Sequence, residues 1–354
     1  MYTQFIGEIE NVGCSARFCE MKTKIILPLT KPKRRLKNLN HASQLGYVSH
    51  PAEDGIIQVN NLVKAYGDVI AVDGISFRVN HGEVFSILGP NGAGKTTTVE
   101  ILEGVRKRDS GDVRVLGMDP SSDRNRLMKV IGILPQDFNF MERVTPYETL
   151  EFYIRSYMSS EDPVQLLKLV DLYDKRDTYF TNLSGGQKQK LGIAIALSNN
   201  PRIVFLDEPT AGLDPISRRS VWEVIRRLKE NGKTVILTTH YLDEAEALAD
   251  RVAIVKSGKI VDEGSPAELV ARNKTSDRLV ITFGDTFSDI DIFKGFIIQR
   301  KGNSVEIKVE NNEQLFSIFS MLSEIKVPLQ NIELKHESLE DVFIKIVGEV
   351  TNES

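Results

Sequence analysis

Long apolar runs are missing from this sequence. No segment approaches the roughly 18 consecutive apolar residues that cross a bilayer as a helix. The longest candidates, "RIVFL", "TVILTT" and "RVAIV", are strand-sized and bounded by polar residues. Any membrane crossing in its work therefore falls to another polypeptide. Cysteine is nearly absent too: Cys14 and Cys19 are the only two in 354 residues. That excludes a disulfide framework and fits a reducing compartment. His41 and His50 are the nearest partners for those thiols, but the spacing matches no common zinc pattern. An excess of one charge is lacking as well. The 45 Lys and Arg against 49 Asp and Glu leave a net charge of -4, which argues against a nucleic-acid binder. "IILPL" is too short for the apolar core of a signal peptide, so secretion is not expected.

What is present divides into three stretches. The length exceeds one compact core, and two domains plus a tail are expected. Residues 1–54 read as a basic extension. Between Lys22 and Lys37 there are seven Lys or Arg, no acidic residue, and breaks at Pro28 and Pro32. Such a stretch is expected to be solvated and disordered; docking on anionic lipid stays open, as does a start at Met21.

From Ile56 the pattern is strand-like: "IIQVNNLVKAY", "VIAVDGISFRV" and "GEVFSILG" alternate with Gly and Asn turns, predicting an antiparallel sheet. "TPYETLEFYIRSYM" has a Thr cap and Pro at its first turn, so a helical section starts near Thr145. Further on, the strands "RIVFLDE" and "TVILTTH" alternate with the helices "PISRRSVWEVIRRLKENG" and "YLDEAEALAD". Short buried strands alternating with helices predict an α/β fold with a largely parallel core sheet. Past about Ala271, a hairpin at "KGNS", the helix "NEQLFSIFSMLSEIK" and a final Ser-capped helix "ESLEDVFIKIVG" predict a small α+β domain.

Two glycine-rich stretches carry the chemistry. "GPNGAGKT" runs Gly89, Pro90, Asn91, Gly92, Ala93, Gly94, Lys95, Thr96, with Thr97 following. It fits G-x-x-x-x-G-K-[ST] and lies between a strand and a helix, as that motif requires. Its backbone N–H groups and the helix N-terminus suit phosphate. Lys95 is placed to reach the β- and γ-phosphates, and the Thr96 hydroxyl to hold Mg²⁺. "RIVFLDE" brings Asp207 to a strand's carboxyl end, where ligands of parallel sheets bind and where it can share the Mg²⁺. Glu208 beside it is a candidate base for water. About ninety positions after the first glycine loop, "LSGGQ" (Leu183 to Gln187) places Ser184, Gly185, Gly186 and Gln187 at the start of another helix. That too is an anion-binding arrangement.

These motifs and their order resemble the nucleotide-binding subunits of ATP-binding-cassette (ABC) transporters, over about Ile56 to Leu269. The resemblance implies a phosphate-loop ABC ATPase fold: a core sheet, an antiparallel β subdomain and a helical subdomain near residues 137–198, within a nucleotide-binding domain at 55–272. It implies ATP hydrolysis with ATP and Mg²⁺. Tyr66 in "KAYGD" stands where the family stacks a ring on adenine. Gln136 in "LPQD" matches a glutamine that contacts Mg²⁺ or water. Asp214 in "AGLDP" matches the loop linking two subunits' sites, although Ala211 and Gly212 depart from the commoner bulkier or hydroxylated pair. His240 matches a histidine that contacts γ-phosphate and orients Glu208.

In that family "LSGGQ" reaches the ATP of a partner subunit. Ser184, Gly185, Gly186, Gln187 and Asp214 are thus expected to act in trans, in a head-to-tail homodimer. Separate integral membrane permease subunits are implied, with the chain held at the cytoplasmic face of the cell membrane. "THYLDEAEALADRVAIVKSGKIVDEGSP" and the closing "SLEDVFIKIVG" are similar to daunorubicin-resistance-type (ABC-2) exporter ATPases. They favour export, with residues 273–354 an accessory α+β domain. An importer ATPase and a soluble ABC ATPase of translation or repair are the competing expectations. A switch for GTPase-like partners fits poorly with "LSGGQ" and His240.

Overall fold

The computed structural model describes residues 55–348, apart from residues 137, 274–276, 285–292, 294, 297 and 325–327. The basic extension, with Cys14, Cys19, His41 and His50, lies outside the described residues.

In chain order the elements begin with β1 (Ile57–Tyr66), β2 (Val69–Val79), β3 (Val84–Leu88) and α1 (Lys95–Leu102). Then come β4 (Ser110–Val115), α2 (Arg124–Leu127), β5 (Ile131–Leu134), α3 (Pro146–Tyr157), α4 (Pro163–Leu169) and α5 (Gly185–Ala196). Next are β6 (Ile203–Asp207), α6 (Pro215–Glu230), β7 (Thr234–Thr239), α7 (Leu242–Leu248), β8 (Arg251–Lys256), β9 (Lys259–Gly264) and α8 (Pro266–Asn273). The last are β10 (Asp277–Phe283), β11 (Ile298–Lys301), β12 (Ser304–Val309), α9 (Asn312–Glu324), β13 (Leu329–Lys335) and α10 (Leu339–Gly348).

A six-stranded sheet ordered β5-β6-β7-β3-β8-β9 forms the centre. It is parallel except for β9, which turns back on β8. Strands buried on both faces have no polar side to alternate, which is why "VFSIL" and "IVFLD" read as continuous apolar runs. Alternate residues enter different layers. Val204 and Leu206 pack with α3, α4, α5 and α6, whereas Ile203 and Phe205 pack with α1 and the antiparallel sheet.

That antiparallel sheet is ordered β2-β1-β4. The sequence patterning had assigned "EVFSIL" to it. Instead this strand, β3, sits between β7 and β8 in the parallel sheet, and β4 is the third antiparallel strand. All five residues of β3 are buried, leaving no solvent face for an antiparallel edge; β4 is polar over its first half and pairs only with β1. The Thr145 cap forms as predicted, as a reciprocal capping box with Glu148 and Pro146 in the first turn.

The C-terminal strands form a separate sheet, β11-β12-β10-β13, with the "KGNS" hairpin between β11 and β12. Ser338 and Asp341 cap α10 reciprocally. This helix packs back on the first unit: Leu339 joins Leu88, Ala245, Val252, Ile254 and Leu269 in one apolar cluster. Lys256 Nζ donates to the Ile346 carbonyl at 2.8 Å.

Candidate active site

Parallel pairing gathers the motif residues at one sheet edge. Leu88 lies opposite Thr239, and Asp207 opposite Thr238. The residues that follow these strand ends therefore converge where crevices form in such sheets. The first glycine loop leads from β3 to α1, whose N-cap is Gly94. Gly94 has φ 101°, and a Cβ there would meet the Ala71 carbonyl oxygen at 2.1 Å. Both facts demand glycine. No side chain caps α1, so its first N–H groups remain for an anion.

Lys95 is buried, and its Nζ donates to the Gly89 carbonyl at 2.9 Å and the Pro90 carbonyl at 3.2 Å. The same ammonium lies 3.4 Å from Glu208 Oε1. Taking both charges out of water is costly unless they are paired, so Lys95 and Glu208 define each other's position. The other oxygen of Glu208, Oε2, is 3.0 Å from His240 Nδ1. A carboxylate accepts, so this imidazole nitrogen donates. Glu208 also has a left-handed backbone, φ 48°, which is rare for a residue with a Cβ. Its N–H donates to the Thr238 hydroxyl at 3.0 Å and the Thr238 carbonyl at 3.1 Å. Backbone strain of this kind collects at functional sites.

Asp207 accepts from the Thr238 and Thr96 hydroxyls. Burial is the largest influence on its carboxyl and pushes its pKa up; the neighbouring Glu208 adds to this, against the two hydroxyls and Lys95. Thr96 Oγ1 lies 3.4 Å from Asp207 Oδ1. These are hard oxygen donors of the type Mg²⁺ takes, and a cation beside them would offset the cost of burying the carboxylate. Among the described residues, no group of three or more His, Cys, Asp or Glu is arranged to hold a metal.

The second glycine loop is built differently. Ser184 caps α5, accepting from the Gln187 N–H, while the Gln187 side chain accepts from the Ser184 N–H. Gly185 and Gly186 then open the helix, where N–H groups have no partner within it. Neither has a positive φ. A Cβ on Gly186 would lie 2.9 Å from Ser217 Cβ, and one on Gly185 would lie 3.1 Å from Leu213 Cδ2. This loop rests on the start of α6, which Asp214 caps by accepting from the Ile216 and Ser217 N–H groups.

Side-chain contacts thus join Lys95, Glu208 and His240 in one set and Thr96 and Asp207 in another, and Thr238 bridges the two. Tyr66 ends β1, is 41% exposed as a residue, and has Lys64 and Arg106 at 5.4 and 5.2 Å from its ring centroid. Gln136 is exposed, two residues beyond β5, whose Leu134 pairs with Leu206. It lies at the same sheet edge and makes no hydrogen bond to Thr96 or Asp207. Three further residues were not singled out from the sequence. Thr238 orients both Asp207 and Glu208; its only signal was a hydroxyl near a strand end. Glu244 is fully buried and accepts from the Thr210 hydroxyl and Trp222 Nε1. Glu103 is buried at the end of α1, where burial first, then Asp207 and Glu100, pushes its carboxyl well above the usual range. An acidic residue on a helix reads as solvent-facing until packing is known.

The family described as "ABC transporter" matches residues 72–211. The chain is 36% identical over 303 residues to Nod factor export ATP-binding protein I of Rhizobium sp. (strain N33), covering 82% of this chain and 97% of that protein. It is 34% identical over 305 residues to the daunorubicin/doxorubicin resistance ATP-binding protein DrrA of Streptomyces peucetius, covering 82% and 92% respectively. Among solved structures, the dimeric post-hydrolysis state of the ATP-binding cassette MJ0796 bound to ADP and Pi matches with a TM-score of 0.53 and 29% identity. That match covers 59% of this chain and 98% of MJ0796.

Proposed function

We propose that this chain, which belongs to the ABC transporter family, is the ATP-hydrolysing subunit of an exporter whose membrane-spanning parts are separate polypeptides. The observation that carries the site assignment is the line Lys95–Glu208–His240, with 3.4 Å and 3.0 Å between successive side chains. The relatives' names support export over the importer and the translation or repair alternatives.

In this reading the glycine loop and α1 hold the ATP phosphates by N–H groups, and Lys95 neutralises charge on the β- and γ-oxygens. Tyr66 stacks on the base. Thr96, Asp207 and Gln136 would hold Mg²⁺, which would supply further charge neutralisation at the phosphates. Glu208 accepts the proton of the water that attacks the γ-phosphate. His240 holds Glu208 in place and contacts that phosphate. Ser184, Gly185, Gly186, Gln187 and Asp214 complete a second copy's site in a head-to-tail homodimer. The Ser184 Oγ accepts within its own loop and keeps its O–H for such a partner. The dimeric MJ0796 supports this arrangement.

Residues 55–272 form the cassette and 273–354 the accessory unit, with 1–54 an extension. Among the described residues no helix is long and apolar enough to cross a membrane. We assign attachment at the cytoplasmic face to permease subunits, as the relatives' export names support.

Glu208→Gln tests the site. ATP binding should persist, hydrolysis should fall by about 10²–10⁴-fold, and ATP should trap a dimer visible by size-exclusion chromatography. Hydrolysis at the wild-type rate would remove Glu208 from its role.

A further inference from the structure

Arg218 lies in the first turn of α6, and its N–H donates to the carbonyl of the capping residue Asp214 at 2.9 Å. Its Nη1 donates to Asp243 at 2.8 Å. The guanidinium carbon sits 4.6 Å from the centroid of the Tyr241 ring. Nε is buried and has no hydrogen-bond partner among the described residues. A guanidinium placed to satisfy its donors would not leave one buried and unused. The Asp243 side chain is 60% exposed, so that ion pair contributes little. The cation–π contact with the Tyr241 ring is therefore the main fixed interaction of this guanidinium.

Tyr241 passes this constraint on. Its ring centroid is 4.1 Å from that of His240, and His240 meets Glu208 at 3.0 Å. The Tyr241 N–H donates to the Thr239 hydroxyl at 2.9 Å, so the backbone after β7 is already held. What remains free is the rotation of two rings, and His240 is a third exposed. The two rings are tilted by 38° to each other, and Arg218 lies over the Tyr241 ring.

We propose that Arg218 is a positioning residue for ATP hydrolysis: through Tyr241 it keeps the His240 imidazole in the orientation that meets Glu208. The inference rests on the assignment of Glu208 and His240 above. It also places this support one residue from Ser217, against which the second glycine loop packs. The seat of that loop and the brace on His240 share one helical turn.

The test is steady-state ATP hydrolysis by the full chain, together with thermal midpoints, for Arg218→Met, Arg218→Lys and Tyr241→Leu, each alone and with His240→Ala. Arg218→Lys keeps the charge facing Asp243 but loses the plane, and it carries the test if Arg218→Met does not fold. Each single variant should lower kcat by about 10- to 100-fold, the scale of a misplaced catalytic group. KM for ATP should stay within about twofold, because the phosphate loop is untouched. In the His240→Ala background the same substitutions should cost nothing more, since they act only through that ring. Unchanged kcat in Arg218→Lys and Arg218→Met overturns the proposal. So does a loss that is equally large with and without His240. If His240→Ala itself hydrolyses ATP at the wild-type rate, the assignment of the site fails instead.

Discussion

The two glycine loops of this chain look alike as text and differ in what glycine does. In "GPNGAGKT" the demand is conformational: Gly94 sits at φ 101° with the Ala71 carbonyl against its Cα. The loop bends away from any path an L side chain follows. In "LSGGQ" the backbone is ordinary helix start, closed by a Ser184–Gln187 capping box. There the demand is space, because Gly186 lies against Ser217 and Gly185 against Leu213. The first loop has Lys95, Thr96, Asp207 and Glu208 of its own chain around it, and we assign it to this chain's own nucleotide. The second has no such ring of charged groups and rests on α6. A phosphate bound there needs its other contacts from elsewhere, which is why we assign it to a facing copy.

Substitutions can break this contrast. The largest expected effect is at Gly94→Ala, where a strained φ and a carbonyl collision combine. ATP affinity should fall by about 100-fold or more, measured by calorimetry. Gly186→Ala should behave oppositely, leaving ATP affinity unchanged while hydrolysis drops by about tenfold through a displaced loop. Adding Ser217→Gly removes the atom that the new Cβ would strike, and should restore most of the rate. Loss of ATP binding in Gly186→Ala would mean that the loop serves its own chain. Ser184→Ala removes the O–H offered to the facing copy together with the cap; losing the cap costs about 1 kcal/mol, read as a thermal midpoint lowered by about 2–4 °C.

The smallest effect concerns Glu103, behind the first loop. Its pKa is raised by burial, so folding favours its protonated form. That contribution is fully present below the ordinary carboxylate range and is lost as pH rises through the raised value. Wild-type stability against denaturant should therefore decline as pH climbs from about 4.5. Glu103→Gln, neutral throughout, should flatten that decline.

Much of this was legible before any coordinates. Gly89 to Thr96, the strand "RIVFLDE" and "TTH" carry signals that are local and strict. A buried strand must be apolar throughout, and a phosphate loop tolerates few residue types. The assignment of "VFSIL" to the wrong sheet shows the limit. A short apolar run announces burial but not its neighbours, and only pairing with β7 and β8 identified the sheet. Thr238, Glu103, Glu244 and Arg218 were invisible for a related reason. Each is an unremarkable polar residue until packing places it beside a partner far along the chain.

By itself, the sequence determined the ligand chemistry, the alternation of buried strands with helices around the two glycine loops, and the residues at the carboxyl ends of β3, β6 and β7. Those follow from short-range rules: turn geometry, periodicity and the donor inventory of a few side chains. Tertiary structure alone decided that β3 lies between β7 and β8, that the second glycine loop sits on the helix capped by Asp214, and that Arg218 braces Tyr241 against His240. Such contacts join residues that are distant in the chain, and their energies come from packing and desolvation, which no local pattern encodes.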